Sequence, residues 1–282
     1  MAVFAVGLGA MIASFTAAQI SAAEKVVMER QPEGELMARA AQAAANTILR
    51  ELRKRRGKAA GGSVVLLLGT GNNGGDALFA GTQLASRGVA VTGVAVGNRV
   101  HSAGRSAFEQ AGGRLLTMAD GGPGTYSPIE QVADLAAGSD VIVDALLGIG
   151  SRGPLSGQAA ALVTTLIVEA GLDAPLRYRR RTRPIVVAID LPSGVGVDDG
   201  AVGGQVLPAD ITVTFGAYKP AALLPPASRL FGAIELIDIG LMEPLVASER
   251  PAAQRLEARD ALGLWPVPRR TDHKYSRGVL GV

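Results

Sequence analysis

The 282-residue sequence contains no cysteine, which removes disulfides, thiolate nucleophiles and cysteine-held zinc. Histidine is almost as scarce, with only His101 and His273 present. Far apart in the chain, they argue against a histidine metal cluster and against a Ser-His-Asp relay. Aromatic residues make up 4% of the chain, too few for base-stacking platforms, and 28 basic against 25 acidic residues leave a formal charge of only +3. Neither feature supports a nucleic-acid partner. The longest opening apolar run, MAVFAVGLGAMIASF, lacks a basic n-region and falls short of the roughly 20 residues of a spanning helix. Residues 1–15 therefore read as an apolar N-terminal extension, and the expectation is a cytoplasmic protein with no membrane partner.

Apolar residues are plentiful instead, at 48% with 37 glycines, enough for a sizeable core. Residues 16–56 carry helical periodicity, interrupted at Pro32-Glu33-Gly34. Beyond Gly61-Gly62, short runs alternate with amphipathic segments. VVLLL (64–68), VAVTGVAV (89–96), DVIVDALL (140–147), PIVVAID (184–190), DITVTF (210–215) and AIELIDI (233–239) are strand candidates, with helices at 75–87, 101–112, 127–137 and 156–170. Strands without polar alternation are covered on both faces. The pattern predicts an α/β fold, a three-layer Rossmann-like sandwich with a mostly parallel, doubly wound sheet. An arginine-rich stretch at 177–183 reads as a solvated loop, and the polar, alanine-rich tail from Ser248 as a linker.

The stretch VVLLLGTGNNGGD, residues 64–76, satisfies G-x-G-x-x-G directly after a strand. Glycines there allow close ligand approach, and the helix that follows offers free N–H groups. A conventional dinucleotide finger also needs an acid about 20 residues on. None occurs between Asp76 and Glu109. Asp76 is comfortable at the positive end of a helix dipole but would repel a phosphate. Sugar hydroxyls, a carboxamide or a cation suit N-N-G-G-D better.

Asp144 and Asp190 end two other strand candidates, where ligands bind in parallel α/β sheets. The loop after Asp144, GIGSRGP (148–154), is rich in N–H groups and carries one guanidinium, Arg152. Asn73, Asp144 and Ser193 are hard oxygen donors, suited to a poorly dehydrating cation rather than a soft transition metal.

These pieces together resemble the NAD(P)H-hydrate epimerase family, the YjeF-type N-terminal domain. TAAQISAAEKVVME (16–29), ELMARAA (35–41), LLLGTGNNGGDAL (66–78), VDALLGIGSRGPL (143–155), VVAIDLPSGVGVDDG (186–200) and ADITVTFGAYKPAALL (209–224) run in family order. The resemblance implies an isomerase that interconverts the R and S forms of hydrated NADH and NADPH (NADHX, NADPHX) in nicotinamide nucleotide repair. It implies substrate contacts from Asn72, Asn73, Gly74, Gly75 and Asp76, from Gly148, Ile149, Gly150, Ser151, Arg152, Gly153 and Pro154, and from Asp190. It implies potassium (K+) held by Asn73, Asp144 and Ser193. Asp190 is the expected general acid/base, and Asp76 is expected to orient the substrate.

Two departures stand out: Ala77 where the family loop commonly has glycine, and Arg152 where some members carry lysine. The epimerase domain is expected over 16–246. Residues 247–282 read as a linker and the truncated start of a dehydratase-like domain, so dehydratase activity is expected from a fused or separate domain. The N-terminal helices and the DITVTF region are candidates for a homodimer face. Two competing readings are a non-catalytic Rossmann-like binding or interaction protein, which the full set of site residues opposes, and an ordinary NAD-dependent oxidoreductase, which the missing acid opposes.

Overall fold

The computed structural model describes residues 11–32, 34–97, 99–118, 128–172, 183–248, 250–264, 269–273 and 275. Most of the apolar extension, residues 177–182 of the arginine-rich stretch and the closing 276–282 lie outside the described residues.

Continuous apolar runs form the centre. The strands β2 (Ser63–Leu68), β3 (Ala90–Val96), β4 (Arg114–Met118), β5 (Val141–Ala145), β6 (Ile185–Ile189), β7 (Ile211–Phe215) and β8 (Ala233–Ile237) make one sheet. Their spatial order is β4-β3-β2-β5-β6-β7-β8, and every neighbouring pair is parallel. The order reverses at β2 and β5, the switch point of a doubly wound sheet.

Both faces are covered, as unbroken hydrophobic runs require. Val64, Leu66 and Leu68 of β2 face a core shared with the helices α1 (Ala17–Met28), α2 (Glu35–Arg56), α3 (Asn72–Ala85) and α4 (Ser102–Gln110). Val65 and Leu67 face the opposite core, under α5 (Ile129–Ala137) and α6 (Gly157–Glu169). Each such side chain contributes about 1.5–3 kcal/mol on burial. Thr16 starts α1 with a reciprocal capping box to Gln19. The short strand β1 (Ile12–Ser14) pairs antiparallel with β9 (Ala253–Arg255), between α7 (Met242–Ser248) and α8 (Ala258–Leu264).

Six of the strands lie where the apolar runs predict them. The edge strand β4 was not anticipated, because RLLTM is short and half-exposed. The helix after β2 begins at Asn72 rather than 75, so N-N-G-G-D forms its first turn. Among the described residues, no helix is long and apolar enough to cross a membrane.

The amino edge of the sheet is closed by Asp140. Its carboxylate accepts from the Ser63 N–H at 2.9 Å and from Arg56 at 3.1 Å. Burial alone would raise its pKa, but the Ser63 and Arg56 contacts outweigh it and hold the carboxyl below its ordinary value. A depressed pKa stabilises the fold above the unfolded value and ceases to do so as pH falls through the folded one. Asp140→Asn is therefore expected to cost about 1–3 kcal/mol at neutral pH. In denaturant titrations the deficit should shrink as pH drops below about 4.

Candidate functional site

Three loops meet at the carboxyl edge of the switch point because their backbones touch. The Gly69 N–H donates to the Ala145 carbonyl at 3.0 Å. A Cβ on Gly69 would lie 1.8 Å from the Leu146 carbonyl oxygen, and one on Gly74 would lie 2.4 Å from that of Gly69. Gly71, the N-cap of α3, has nothing within 4 Å of such an atom. The first and third glycines therefore serve packing, while the second keeps space open in front of the helix N–H groups.

Asn73, Asp144 and Ser193 come together there. The fully buried Asp144 accepts from the Ser193 hydroxyl at 2.5 Å and from the Ser193 N–H at 2.8 Å. The Asn73 side-chain amide donates to the carbonyls of Leu147 (2.9 Å) and Ile189 (3.0 Å), tying α3 to the ends of β5 and β6. The Leu147 N–H donates to the Ser193 hydroxyl oxygen at 2.9 Å. Burial raises the Asp144 pKa, against the hydrogen bonds from Ser193 and Leu146. The cluster offers a carboxylate, a hydroxyl and an amide oxygen, a hard donor set that fits an alkali cation.

Asp190 follows β6 with φ of 68°, the only non-glycine residue with positive φ among the described residues. Aspartate tolerates this left-handed region better than most residues, and the strain costs about 1–3 kcal/mol. The turn aims its carboxylate at Lys219, which forms a direct ion pair with it. Lys219 is 1% exposed. Its ammonium also donates to the Thr214 hydroxyl (3.0 Å) and the Phe215 carbonyl (3.1 Å). A buried ammonium needs such partners, since an unpaired one would lose its proton.

Beside this pair opens a cleft of about 780 Å³ whose wall includes Glu24, Asn72, Asp76, Phe79, His101 and Phe215. Asp76 has its pKa pushed well above the ordinary carboxylate range, first by burial and then by the charges of Asp190 and Glu24. A second hollow of about 510 Å³ is lined by Ile149 to Gly153, with Ala17, Ser21 and Asp199 among its other residues. Ala17 and Ser21 line this hollow, and Glu24 and Met28 line the cleft. At spacings of three and four they form one face of α1, so both depressions run along a single helix for about 16 Å.

The residues singled out in the sequence are thus distributed over adjoining parts of one edge. Asp144 and Ser193 are in direct contact, Asn73 is linked to them through Leu147, and Asn72 and Asp76 line the cleft. Ile149 to Gly153, Arg152 included, line the second hollow, and Gly148 packs on Asn73. Sequence reasoning missed Lys219 and Glu24. The first had a signal: Lys219 is the only charged residue between Asp210 and Arg229, in an otherwise apolar stretch. Glu24 had none, because a glutamate beside a lysine on a helix reads as solvated.

A parallel sheet with a glycine turn at its switch point and polar loops around it defines a Rossmann-like ligand-binding protein. Residues 33–221 match the family described as YjeF-related protein N-terminus, and the chain belongs to that family. It is 37% identical over 269 residues to the bifunctional NAD(P)H-hydrate repair enzyme Nnr of Mycobacterium leprae, covering 95% of this chain and 49% of that protein. It is 38% identical over 244 residues to the NAD(P)H-hydrate epimerase of Microbacterium testaceum, covering 86% of this chain and 83% of that one. The chain spans about half the length of the bifunctional mycobacterial relatives it matches. Among solved structures, yeast ynu0 (YNL200c) shares the fold with a TM-score of 0.59 at 20% identity, over 77% of this chain and 85% of that one.

The glycine roles are separable by mutation. Gly69→Ala should cost about 3 kcal/mol or more, because neither backbone can retreat. Gly71→Ala should leave the melting temperature within about 1–2 °C, as expected of a surface change of roughly 0.5 kcal/mol or less. The raised Asp76 pKa makes a further prediction, with the opposite sign to Asp140. Ionising Asp76 is harder in the fold than in the unfolded chain, so it penalises stability increasingly as pH rises. Asp76→Asn should raise the melting temperature at alkaline pH, and the gain should vanish in acid, where both states are protonated.

Proposed function

We propose that the chain interconverts the R and S hydrates of NADH and NADPH, as an isomerase in nicotinamide nucleotide repair. One observation carries the reading. Two carboxyl groups in unlike environments, the lysine-paired Asp190 and Asp76, whose pKa burial raises, belong to one edge of the switch point, beside a hard-oxygen cluster. The names of relatives that align with most of this chain support it.

The chemistry follows from the substrate. The dihydronicotinamide ring is an enamine, so its hydrate carries the hydroxyl on carbon next to the ring nitrogen. Inverting that carbon requires the C–O bond to break and re-form on the other face. The nitrogen lone pair closes a C=N bond as the oxygen leaves with the C–O electron pair. Asp76, as a neutral acid, gives that oxygen its proton, and water departs. A water adds to the opposite face, the C=N π electrons return to nitrogen, and the Asp190 carboxylate accepts the proton released. The reverse reaction exchanges the roles of the two carboxyls. A carboxyl whose proton affinity is raised by burial suits the acid's part in such paired work. An excess of acids over lysine also suits a ring that becomes cationic in between.

Asn73, Asp144 and Ser193 would hold potassium, which when bound supplies a fixed positive charge that keeps Asp144 ionised and the three loops in register. Ile149 to Gly153 and the first turn of α3 bind the rest of the dinucleotide. The dehydration that completes repair belongs to a fused or separate domain.

The test couples purified protein and the R hydrate of NADH to a separate S-specific dehydratase and follows NADH absorbance. Wild type should accelerate recovery above the spontaneous rate. Asp190→Asn, which keeps the left-handed turn, should lose at least about 100-fold. Asp190→Asn/Lys219→Met removes both charges of the buried pair, so it guards against loss of folding, and it should be equally inactive. A folded wild type without acceleration would favour the binding-protein reading. For the ion, exchanging potassium for tetramethylammonium at constant ionic strength should lower the melting temperature and weaken hydrate binding. Ser193→Ala should blunt that response, and indifference of the wild type to the exchange would remove potassium from the site.

A further inference from the structure

Neither the Glu24 nor the Asp76 carboxyl has a hydrogen-bond or ion-pair partner among the described residues, yet both line the cleft. Glu24 comes from the inward face of α1, and Asp76 from the first turn of α3. The other charged or titratable groups they face are Asp190 and Lys219, with His101 on the cleft wall. Lys219 is committed to Asp190. His101 uses Nδ1 to accept from the Gly104 N–H at 3.1 Å and packs edge-on against Phe79. No cation is therefore assigned to the two free carboxyls.

We infer that Glu24 is a positioning residue for the reaction proposed above, on which this inference rests: its carboxyl, lining the same cleft as that of Asp76, helps keep on Asp76 the proton that the departing hydroxyl takes. Two like charges in a partly desolvated cleft cannot both ionise at neutral pH without a counter-charge. Burial raises the pKa of Glu24, Asp190 adds to this, and Lys219 opposes it. Glu24 in turn helps raise Asp76. A proton kept on Asp76 is available to the departing hydroxyl, while Asp190 is engaged by Lys219 at the same edge. When Asp76 gives its proton to the leaving oxygen, the charge of Glu24 favours its return. Glu24 touches no reacting atom in this scheme. It sets the proton affinity of the group that does.

The full chain with Glu24→Gln tests this, with Glu24→Asp as the conservative companion. Two readouts are required: the pH profile of kcat in the coupled assay, and the carboxyl ¹³C titration of Asp76 by NMR. Glu24→Gln should lower the Asp76 titration midpoint by about one pH unit. It should move the alkaline limb of kcat by the same amount, with about a tenfold loss at neutral pH that is partly regained in acid. Glu24→Asp should restore both the midpoint and the limb. An equal loss of kcat at every pH would mark a merely structural residue and overturn the inference. An Asp76 midpoint unmoved in Glu24→Gln would overturn it whether or not the protein epimerises anything. Absence of epimerase activity in wild type would instead defeat the proposed function, while the NMR titration still decides whether Glu24 acts on Asp76.

Discussion

The site depends on one backbone contact, the Gly69 amide lying against the start of the loop after β5. That contact brings the first turn of α3 within reach of Leu147 and Ile189, which the Asn73 amide then bridges. Without it, the ends of β2, β5 and β6 would still be adjacent in the sheet, but their loops would be free to diverge. Parallel strands deliver loops to the same edge. Close packing between the backbones turns that neighbourhood into a fixed geometry.

Charge then divides the molecule by edge. At the amino ends of the strands, acids are satisfied. Asp140 is held by Ser63, Arg55 and Arg56, and Asp210 by a two-pronged contact from Arg183 and the Val186 N–H. At the carboxyl ends, Asp190 sits in a strained turn and is buried with Lys219, and Glu24 and Asp76 have no hydrogen-bond or ion-pair partner among the described residues. A fold selected for stability alone would not leave two such carboxyls lining one cleft, since each raised pKa is a penalty at neutral pH. Such costs persist where function requires them.

The fold was legible because its strands are uninterrupted apolar runs, which have few other interpretations. The edge strand β4 escaped because a half-exposed strand loses the pattern that makes central ones visible. The start of α3 was misplaced for a different reason. Asn and Gly are poor helix formers, and tertiary contacts of Asn73 and the tight fit of Gly74 override that propensity. The family resemblance carried the residues of the three loops, whose spacing is fixed by local turns. Its matching segments include Glu24 and Lys219 but give them no role, because their importance arises only when α1 and the segment after β7 are folded over the switch point.

Lys219 shows what kind of information was missing. In sequence it is one cation in an apolar stretch, compatible with a side chain that snorkels to water. In the fold its segment is tied to the end of β1: the Phe15 N–H donates to the Tyr218 carbonyl at 2.9 Å, and Ser14 pairs with Tyr218 while β1 itself pairs with β9. The stem is thereby held inside, and the ammonium has no route to solvent. Its charge must be met by Asp190, and Asp190 must leave the ordinary backbone regions to meet it. The positive φ, the buried lysine and the anchoring strand are therefore one constraint seen at three places. Relaxing any one of them would release the carboxylate from the position that the proposed reaction needs.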